Sequence, residues 1–321
     1  LKEKDPDNYK PFKPCIPLCD VSGSMTGTPM FVCIGLGIIL SSFLQENEFL
    51  RNKVITFETN PRWITLSGKD FCSMVNELKT APWGGSTNFE KANRLILDIA
   101  KKNNLKVIED CAQAHLATWQ GKVSGSFGQA GAYSFYPTKN LGAVGDAGML
   151  VTSDSTLAKK ARRLRNYGQS ERYLHPVIGM NSRLDEVQAA MLSERMKWLL
   201  EFTKRRRQIA DKYHSKIDNP YVKLLIKPEQ KSAHVYHLFV ITCLQRDALQ
   251  THLLKKGVQA LIHYPIPVHQ QKPCSEIVRD PNGLNNSEKH ASMCLSLPCH
   301  PQMSDADIEC VIDSANSFQG K

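Results

Sequence analysis

The chain has 321 residues, 41% of them hydrophobic and 22% charged, and a formal net charge of +10 at pH 7. This composition excludes collagen-like and largely disordered chains, and the length allows more than one folded domain. The longest apolar run, residues 31–44, is too short to cross a bilayer, so no membrane segment is expected. The N-terminal residues lack the apolar stretch of a signal peptide, and the ten cysteines have no zinc or disulfide spacing. We therefore expect a cytoplasmic protein with reduced thiols.

The first third of the chain predicts alternating strands and helices. Apolar and β-branched runs predict strands at residues 14–20, 52–59 and 105–110, and helical spacing of apolar residues predicts helices at 71–80 and 89–104. Such alternation is typical of a parallel sheet flanked by helices.

The rest of the chain continues with short strands and longer helices. We predict strands at 132–135, 148–152 and 234–242, and helices at 155–166, 183–216, 246–257 and after the N-cap residue Ser304. A glycine is expected to end the helix at 246–257. The basic run at 204–207 is typical of a solvated helix face, and no aromatic-interleaved basic patch occurs, so no nucleic-acid partner is expected.

A lysine, Lys139, follows an apolar run in the stretch YSFYPTKN (133–140). A lysine amine can form a Schiff base with the aldehyde of pyridoxal phosphate, and such a site also needs an acid for the pyridine nitrogen and donors for the phosphate. Asp110 ends a predicted parallel strand, where ligands of α/β sheets bind. Gln113 could reach the ring hydroxyl, and Ser134 the phosphate. The residues alone leave an alternative, in which Lys139 is a surface charge and Asp110 caps the next turn.

Seven motifs in this order resemble the DegT-type sugar aminotransferases. They are VIEDCAQAH, GSFGQAGAYSFYPTKNLGAVGDAG, RNYGQ, GMNSRLDEVQAAML, YHLFVI, IHYPIPVHQQ and LSLPCHPQMSD. The resemblance covers about residues 95–321. Members of this family are fold-type I pyridoxal phosphate enzymes that act on nucleotide-linked keto sugars, with an amino donor such as glutamate.

The resemblance implies a role for each matching residue. Lys139 would be the Schiff-base lysine and the general base that moves a proton to or from the substrate carbon. Asp110 would pair with the pyridinium nitrogen, Gln113 with the ring hydroxyl and Ser134 with the phosphate. The family's asparagine at the position of Asn181 reaches the phosphate of a neighbouring subunit, which implies a homodimer.

Members of the family also have a loop near the sugar nucleotide, and the matching loop of this chain contains Tyr264 and His269. The sequences of this loop and of the NSRLDE motif most resemble those of the family branch that aminates C3 of keto-deoxy sugars. The chain departs from the family at Leu116, where glycine is usual, and at Met180, where an aromatic residue is usual. The larger departure is that residues 1–95 lack the family's own N-terminal segment, with its phosphate-binding turn and an aromatic residue that stacks on the cofactor.

The N-terminal segment instead contains DVSGSM at residues 20–25, directly after a predicted strand. One carboxylate and two hydroxyls, from Asp20, Ser22 and Ser24, are hard oxygen ligands that suit Mg²⁺. Residues 14–100 resemble the first half of a von Willebrand factor A domain, in which Thr87 of PWGGSTNF would be a further ligand. Asp110 stands where that domain has another acidic residue. A serine-rich turn without metal is the simpler alternative.

These patterns predict an α/β protein with a parallel sheet and flanking helices, followed by a smaller α+β domain. The expected domains are a truncated von Willebrand A-like segment at 1–104, a pyridoxal phosphate-binding portion of the large domain at 105–205 and the small aminotransferase domain at 206–321. The predicted function is transamination of nucleotide-linked keto sugars in amino-sugar biosynthesis. The alternatives are a Mg²⁺-dependent binding module on a degenerate aminotransferase scaffold, and an inactive chimera.

Overall fold

A computed structural model describes residues 105–274 and 284–320, together with short stretches before them: 18–20, 53–57, 63–67, 73–74, 95, 97–99 and 102. The chain divides into two compact units. One comprises residues 1–104 and 266–289, and the other comprises residues 105–265 and 290–321. The domain ranges expected from sequence remain predictions.

The described part of the N-terminal segment contains a three-stranded sheet. Its strands are β1 (Leu18–Asp20), β2 (Lys53–Phe57) and β3 (Trp63–Thr65), in the order β1-β2-β3. Strands β1 and β2 are parallel, and β3 is antiparallel to β2. The strands predicted around β1 and β2 are therefore confirmed. The third strand, β3, was not predicted.

The two helices expected in this segment fall mostly outside the described residues. Residues 73–74 lie within the first prediction and residues 95, 97–99 and 102 within the second, and all of them are helical. The described positions agree with the helical spacing of the apolar residues.

A second sheet begins the other unit. Its strands are β4 (Ile108–Asp110), β7 (Ala130–Ser134) and β8 (Gly148–Val151), and a hairpin of β5 (Thr118–Trp119) and β6 (Lys122–Val123) lies between β4 and β7 in the chain. Strands β4 and β7 are parallel, as expected.

Strand β8 runs antiparallel to β7, which differs from the predicted parallel sheet. The connection between them, residues 135–147, contains no helix. A parallel neighbour needs a long crossover, usually helical, whereas a chain that turns back directly gives an antiparallel pair. This connection is also the loop that carries Lys139.

Three helices follow the second sheet. They are α1 (Ser155–Leu164), α2 (Glu186–Met196) and α3 (Leu199–Lys216). The single helix predicted over 183–216 is divided at Lys197 and Trp198, so that prediction was wrong about continuity. Both parts have helical spacing of apolar residues, and periodicity alone does not reveal a short break between them.

The C-terminal part combines an antiparallel sheet with three helices. Strand β10 (Phe239–Thr242) lies between β9 (Lys223–Leu224) and β11 (Cys294–Leu297), and the helices are α4 (Arg246–Lys255), α5 (Asn285–Met293) and α6 (Asp305–Asn316). The fully buried large side chains lie here or on α3: Tyr213, Ile209, Ile241, Leu249, Leu253, Leu295 and Ile308. This is the main hydrophobic core of the described chain.

Two predicted helix boundaries are confirmed in this part. Gly257 has φ +81° just after α4, a conformation that costs least for glycine. Ser304 is the N-cap of α6 and forms a capping box with Asp307. The strand predicted at 234–242 is shorter, because residues 234–238 form a loop before β10. Within the described residues, no helix combines the length and the apolar character needed to span a bilayer.

Candidate active site

The candidate site lies where the parallel strands β4 and β7 end. Asp110 is the last residue of β4 and is paired in register with Ala132, and Ser134 is the last residue of β7. Lys139 follows in a turn in which its backbone N–H donates to the carbonyl oxygen of Tyr136 at 2.8 Å. The acid, the hydroxyl and the amine therefore follow the carboxyl ends of adjacent parallel strands, where ligands of α/β sheets bind.

The loop that carries Lys139 is held by a small hydrophobic cluster. Phe135, Leu141 and Ala143 from the loop are buried against Leu192 of α2 and Leu199 of α3. These side chains bracket Lys139 on both sides in the chain, so packing on two helices fixes the loop from which the amine projects.

Gly142 lies at a position in the loop where a side chain would not fit. A Cβ atom there would overlap the carbonyl oxygen of Pro137. The close approach allows residues 137–142 to form the tight turn around Lys139.

The carboxylate of Asp110 has one local contact. Its Oδ1 accepts a hydrogen bond from the backbone N–H of Ala112 at 3.0 Å, so the turn-capping alternative from the sequence also holds. Both Asp110 and Gln113, three residues later, are exposed, and their side chains make no other hydrogen bond with the described residues. Acceptor and donor positions therefore remain available to a ligand.

A cavity of about 540 Å³ adjoins these two residues. One wall comes from residues 110–117 and includes Asp110 and Gln113. The other wall comes from residues 233–240, which precede and enter β10, and includes His237. The volume lies within the usual range for small-molecule sites.

Ser134 and Lys139 have few partners of their own. The Ser134 Oγ accepts a hydrogen bond from the backbone N–H of Tyr136 at 3.3 Å. The Lys139 amine forms no ion pair with the described residues and is half-buried. A carbonyl ligand would thus meet an amine that no carboxylate neutralises.

His115 was not predicted to be a site residue, but its environment is unusual. It is only 3% exposed, lies against the rings of Tyr133 and Phe135, and has no hydrogen bond at either ring nitrogen among the described residues. Burial, followed by the charge of Lys139, lowers its pKa to about 4, so the ring is neutral at neutral pH. The only sequence signal was its place two residues after Gln113.

Two further residues beside Lys139 were also missed. Asn140 is buried, and its Nδ2 donates to the carbonyl oxygen of Val235 at 3.0 Å. Its Oδ1 lies 3.3 Å from Nδ1 of His237. The contact joins residues that are 97 positions apart, so no local sequence pattern could have predicted it.

Glu109 organises the loop between β6 and β7. Its carboxylate accepts from the backbone N–H groups of Gly125, Phe127 and Gly128 at 2.7, 2.7 and 2.8 Å. A carboxylate with three such donors holds a loop firmly. This explains the acid that directly precedes Asp110 without giving it a role in ligand binding.

The remaining predicted residues lie away from this strand edge in the chain. Asn181 is exposed, forms an isolated β-bridge with Asn166, and accepts a hydrogen bond from Nε of Arg183 at 3.2 Å. Tyr264 is 62% exposed. Neither Asn181 nor Tyr264 lines the cavity described above.

His269 belongs to the other compact unit. Its Nε2 lies 2.9 Å from Oε1 of Glu288, and the hydrogen bond from His269 is the main cause that lowers the pKa of that carboxyl group. The substrate role expected for His269 remains a prediction.

The metal alternative falls largely outside the described residues. Only the backbone of Asp20 is described, at the end of β1, and Ser22, Ser24 and Thr87 lie outside the described part. Within the described part, no group of three or more histidine, cysteine, aspartate or glutamate side chains could hold a metal ion.

The residues at the edge of β4 and β7 fit pyridoxal phosphate chemically. An amine without a carboxylate partner suits an aldehyde, and the open carboxylate of Asp110 suits a protonated pyridine nitrogen. Gln113 offers a donor for the ring hydroxyl, and Ser134 one for the phosphate. This arrangement on an α/β sheet is typical of the fold-type I class of pyridoxal phosphate proteins.

The chain belongs to the DegT/DnrJ/EryC1/StrS aminotransferase family, which it matches over residues 88–316. It is 46% identical over 236 residues to a dTDP-3-amino-3,6-dideoxy-alpha-D-galactopyranose transaminase of Aneurinibacillus thermoaerophilus. The match covers 74% of this chain and 63% of that protein. The chain thus spans less than two thirds of this relative.

Solved structures of aminotransferases have the same fold as the matching part of this chain. A DegT/DnrJ/EryC1/StrS aminotransferase from Brucella abortus is 34% identical, with a TM-score of 0.66, over 74% of this chain and 62% of that one. NtdA from Bacillus subtilis with bound cofactor PMP is 31% identical, with a TM-score of 0.60, over 69% and 52%. The α/β fold expected for the aminotransferase portion is confirmed.

The N-terminal part matches a different family. Residues 14–111 match a domain of unknown function, DUF7788, and this match overlaps the aminotransferase match at residues 88–111. The overlap covers the helix predicted at 89–104 and the strand predicted at 105–110, where the von Willebrand A-like and aminotransferase resemblances meet. The family description names neither a fold nor a ligand, so the von Willebrand A-like interpretation remains a prediction.

Proposed function

We propose that the chain is a pyridoxal phosphate-dependent aminotransferase of nucleotide-linked keto sugars. The observation that carries the proposal is the placement of Asp110, Ser134 and Lys139 after the carboxyl ends of β4 and β7, within the segment that matches the family. The relative from Aneurinibacillus is named for a 3-amino-3,6-dideoxy sugar, which supports C3 of a deoxy sugar as the aminated position.

The cofactor supplies an electron sink that lets an amino group pass from a donor to a keto carbon. Lys139 would attach the cofactor and, once released, carry a proton to or from the reacting carbon of the substrate. Asp110 would hold a proton on the pyridine nitrogen, since an anionic neighbour favours the cationic ring. Gln113 would donate to the ring hydroxyl, and Ser134 to the phosphate.

The partners follow from the same assignment. A nucleotide sugar would be the acceptor, and an amino acid such as glutamate the donor, with Tyr264 and His269 near the sugar nucleotide. We place the reaction in the cytoplasm, a proposal supported by the described cysteines, which are all free thiols.

A homodimer completes the proposal, because Asn181 would reach the phosphate in a neighbouring subunit. Supporting it, Asn181 is exposed and lies among exposed apolar residues, with Ile178 97% and Met180 65% exposed. Large apolar side chains at this density on a surface commonly mark an interface.

Covalent capture of the cofactor tests the proposed function. Purified protein is incubated with pyridoxal phosphate, reduced with borohydride and digested, and the labelled peptides are identified by mass spectrometry. We expect labelling on the peptide with Lys139 and a fall of at least tenfold in total label for Lys139→Ala, because other lysines react only as surface amines. Lys122→Ala, at an exposed lysine of β6, is the matched control and should label like the parent.

Labelling spread evenly over surface lysines would contradict the proposal. The motifs would then be a remnant in an inactive chimera, the second alternative from the sequence.

A second candidate function concerns the N-terminal segment alone. Asp20 ends β1, which runs parallel to β2, so it stands at the carboxyl end of a parallel strand. This placement favours the proposed Mg²⁺ site of Asp20, Ser22, Ser24 and Thr87 in a binding module. Calorimetric titration with Mg²⁺ should give heat that Asp20→Ala abolishes and Asp7→Ala does not; heat that Asp20→Ala leaves unchanged would reject the site.

A further inference from the structure

Residues 232–237, which overlap the cavity wall at 233–240, are held by three side chains. Arg206 and Arg207 approach it from α3, and Asn140 approaches it from the Lys139 loop. Their donors reach five backbone carbonyl oxygens of this segment, those of Ser232, His234, Val235, Tyr236 and His237, at 3.0 to 3.2 Å. The basic run at 204–207 was expected to form a solvated helix face, but two of its residues, Arg206 and Arg207, instead bind backbone carbonyl oxygens of this segment.

The buried guanidinium of Arg206 shows how rigidly the wall is built. Arg206 is 7% exposed, and it also donates to the carbonyl oxygen of Cys299. Burial lowers its pKa, and no carboxylate is among its hydrogen-bond partners in the described chain. Three carbonyl oxygens therefore accept from the Nη1 of Arg206, which fixes their positions, while its Nε is buried without a partner among the described residues.

The contact between Asn140 and His237 determines the protonation of the imidazole. The carbonyl oxygen of Val235 can only accept, so the amide of Asn140 must turn its Nδ2 toward it. The amide oxygen Oδ1 then faces Nδ1 of His237 and can only accept from it. His237 must carry its proton on Nδ1, which leaves a lone pair on Nε2.

His234 in the same segment has the opposite arrangement. Its Nδ1 accepts from the backbone N–H of Tyr236 at 3.0 Å, and a backbone N–H can only donate. His234 therefore carries its proton on Nε2. Two histidines three positions apart are held as different tautomers, which provides an internal reference.

The imidazole of His237 stays neutral at neutral pH. Burial first, and then the charges of Lys139 and Arg206, lower its pKa to about 4. His237 is one of the residues that line the cavity, and no described residue donates to its Nε2. A neutral acceptor in a site beside cationic Lys139 is suited to a ligand that brings its own donor.

We propose that His237 is a binding residue of the sugar site, in which its Nε2 accepts a hydrogen bond from a hydroxyl of the sugar, while Asn140 is the positioning residue that holds the required tautomer. This inference rests on the proposed function for the identity of the ligand. A sugar hydroxyl can donate to the lone pair on Nε2 of His237, whereas a keto oxygen or a deoxy carbon of the sugar cannot. His237 would therefore select hydroxylated sugars over the nucleotide alone.

The tautomer is tested first, without any ligand. Long-range proton–nitrogen NMR on protein with isotope-labelled histidine should place the proton of His237 on Nδ1 and that of His234 on Nε2. In Asn140→Ala, the His237 signals should shift toward the Nε2–H form, while those of His234 stay unchanged. A proton on Nε2 of His237 in the parent protein would overturn the inference, whatever the protein's function.

The binding role is tested with dTDP and dTDP-glucose by calorimetry on the full chain with pyridoxal phosphate. In His237→Asn, the amide nitrogen can replace Nδ1 against Asn140, but no acceptor replaces Nε2. We expect this variant to bind dTDP like the parent and to bind dTDP-glucose about tenfold more weakly. In His237→Gln, the amide oxygen can stand in for Nε2 and should restore most of the affinity for dTDP-glucose.

The outcomes separate the two proposals. An unchanged ratio of the two affinities in His237→Asn would overturn the role of His237 and leave the enzyme assignment intact. Failure of the parent to bind either compound, together with absence of labelling at Lys139, would overturn the proposed function itself. Melting curves for each variant establish that the affinities compare folded proteins.

Discussion

At the residue scale, the site is marked by histidine side chains whose pKa values are lowered. His115 and His237 are both kept neutral by burial, and Lys139 lowers the pKa of each further. Burial also lowers the pKa of His263, and Lys139 again adds to the effect. Three neutral imidazoles near one amine form an environment in which additional positive charge is unfavourable.

This arrangement predicts a loss of stability in mild acid. The pKa of His115 is lowered from its ordinary value of 6.5 to about 4, so between these values the unfolded chain binds a proton that the folded chain does not. The contribution of the neutral His115 ring to the free energy of unfolding is complete above pH 6.5 and is lost as the pH falls toward 4. For a ring only 3% exposed, the loss is on the order of 3 kcal/mol.

Urea unfolding measured from pH 7 to pH 4 checks this prediction. His115→Phe, which keeps a ring against Tyr133 and Phe135 but cannot titrate, should show a shallower fall in the free energy of unfolding over this range. His290→Gln removes an exposed imidazole from α5 and should reproduce the slope of the parent. Equal slopes for the parent and His115→Phe would show that His115 does not cause the acid loss.

At the scale of elements, helix ends are the features in which local sequence and structure agree most closely. The Oγ of Ser304 accepts from the backbone N–H of Asp307 at 3.1 Å, and the Asp307 carboxylate accepts from the backbone N–H of Ser304 at 2.8 Å. These bonds need only residues within one turn. The sequence therefore contains everything that determines them.

Ser304→Ala should lower the free energy of unfolding by about 1 kcal/mol, because the first turn of α6 loses an acceptor for a free N–H. Ser193→Ala makes the same chemical change inside α2, where the hydroxyl only donates back to the carbonyl of Ala189 at 2.8 Å. That variant should be neutral or slightly stabilised. Urea denaturation midpoints measure both, and an equal loss in the two variants would contradict the capping explanation.

At the scale of the whole molecule, α2 is incompletely buried for a monomer. Leu192 is its only buried residue, whereas Val187 is 66% and Met191 42% exposed on the same face, one turn apart. The loop with Asn181 leads directly into this helix. The face therefore supports the proposed contact with a second copy.

Sedimentation at several protein concentrations measures this association. Val187→Asp would put a charge into the contact, so we expect it to shift the protein to the monomer by at least tenfold in dissociation constant. Leu254→Asp changes a residue of similar exposure, 63%, on α4 and should leave association unchanged. A parent protein that sediments as a monomer at all concentrations would rule the dimer out.

The parts of the fold predicted from sequence were those with local causes. The strands around β1, β2 and β7 follow from short β-rich runs, and α4 and α6 from helical spacing and end signals. The break between α2 and α3 and the antiparallel direction of β8 were not predicted. The break is only two residues long, and β8 follows a direct connection without a helix, and the periodicity of a single sequence records neither feature.

The sequence by itself determined the family of this protein and the residue types of the candidate site. The amine, acid, amide and hydroxyl of Lys139, Asp110, Gln113 and Ser134 are spaced along one stretch of chain, so their order alone was informative. Only the tertiary structure decided that His237 faces the same site and in which tautomer it stands. That depends on a hydrogen bond from Asn140 across 97 positions, which forms only once the C-terminal part has folded against the Lys139 loop.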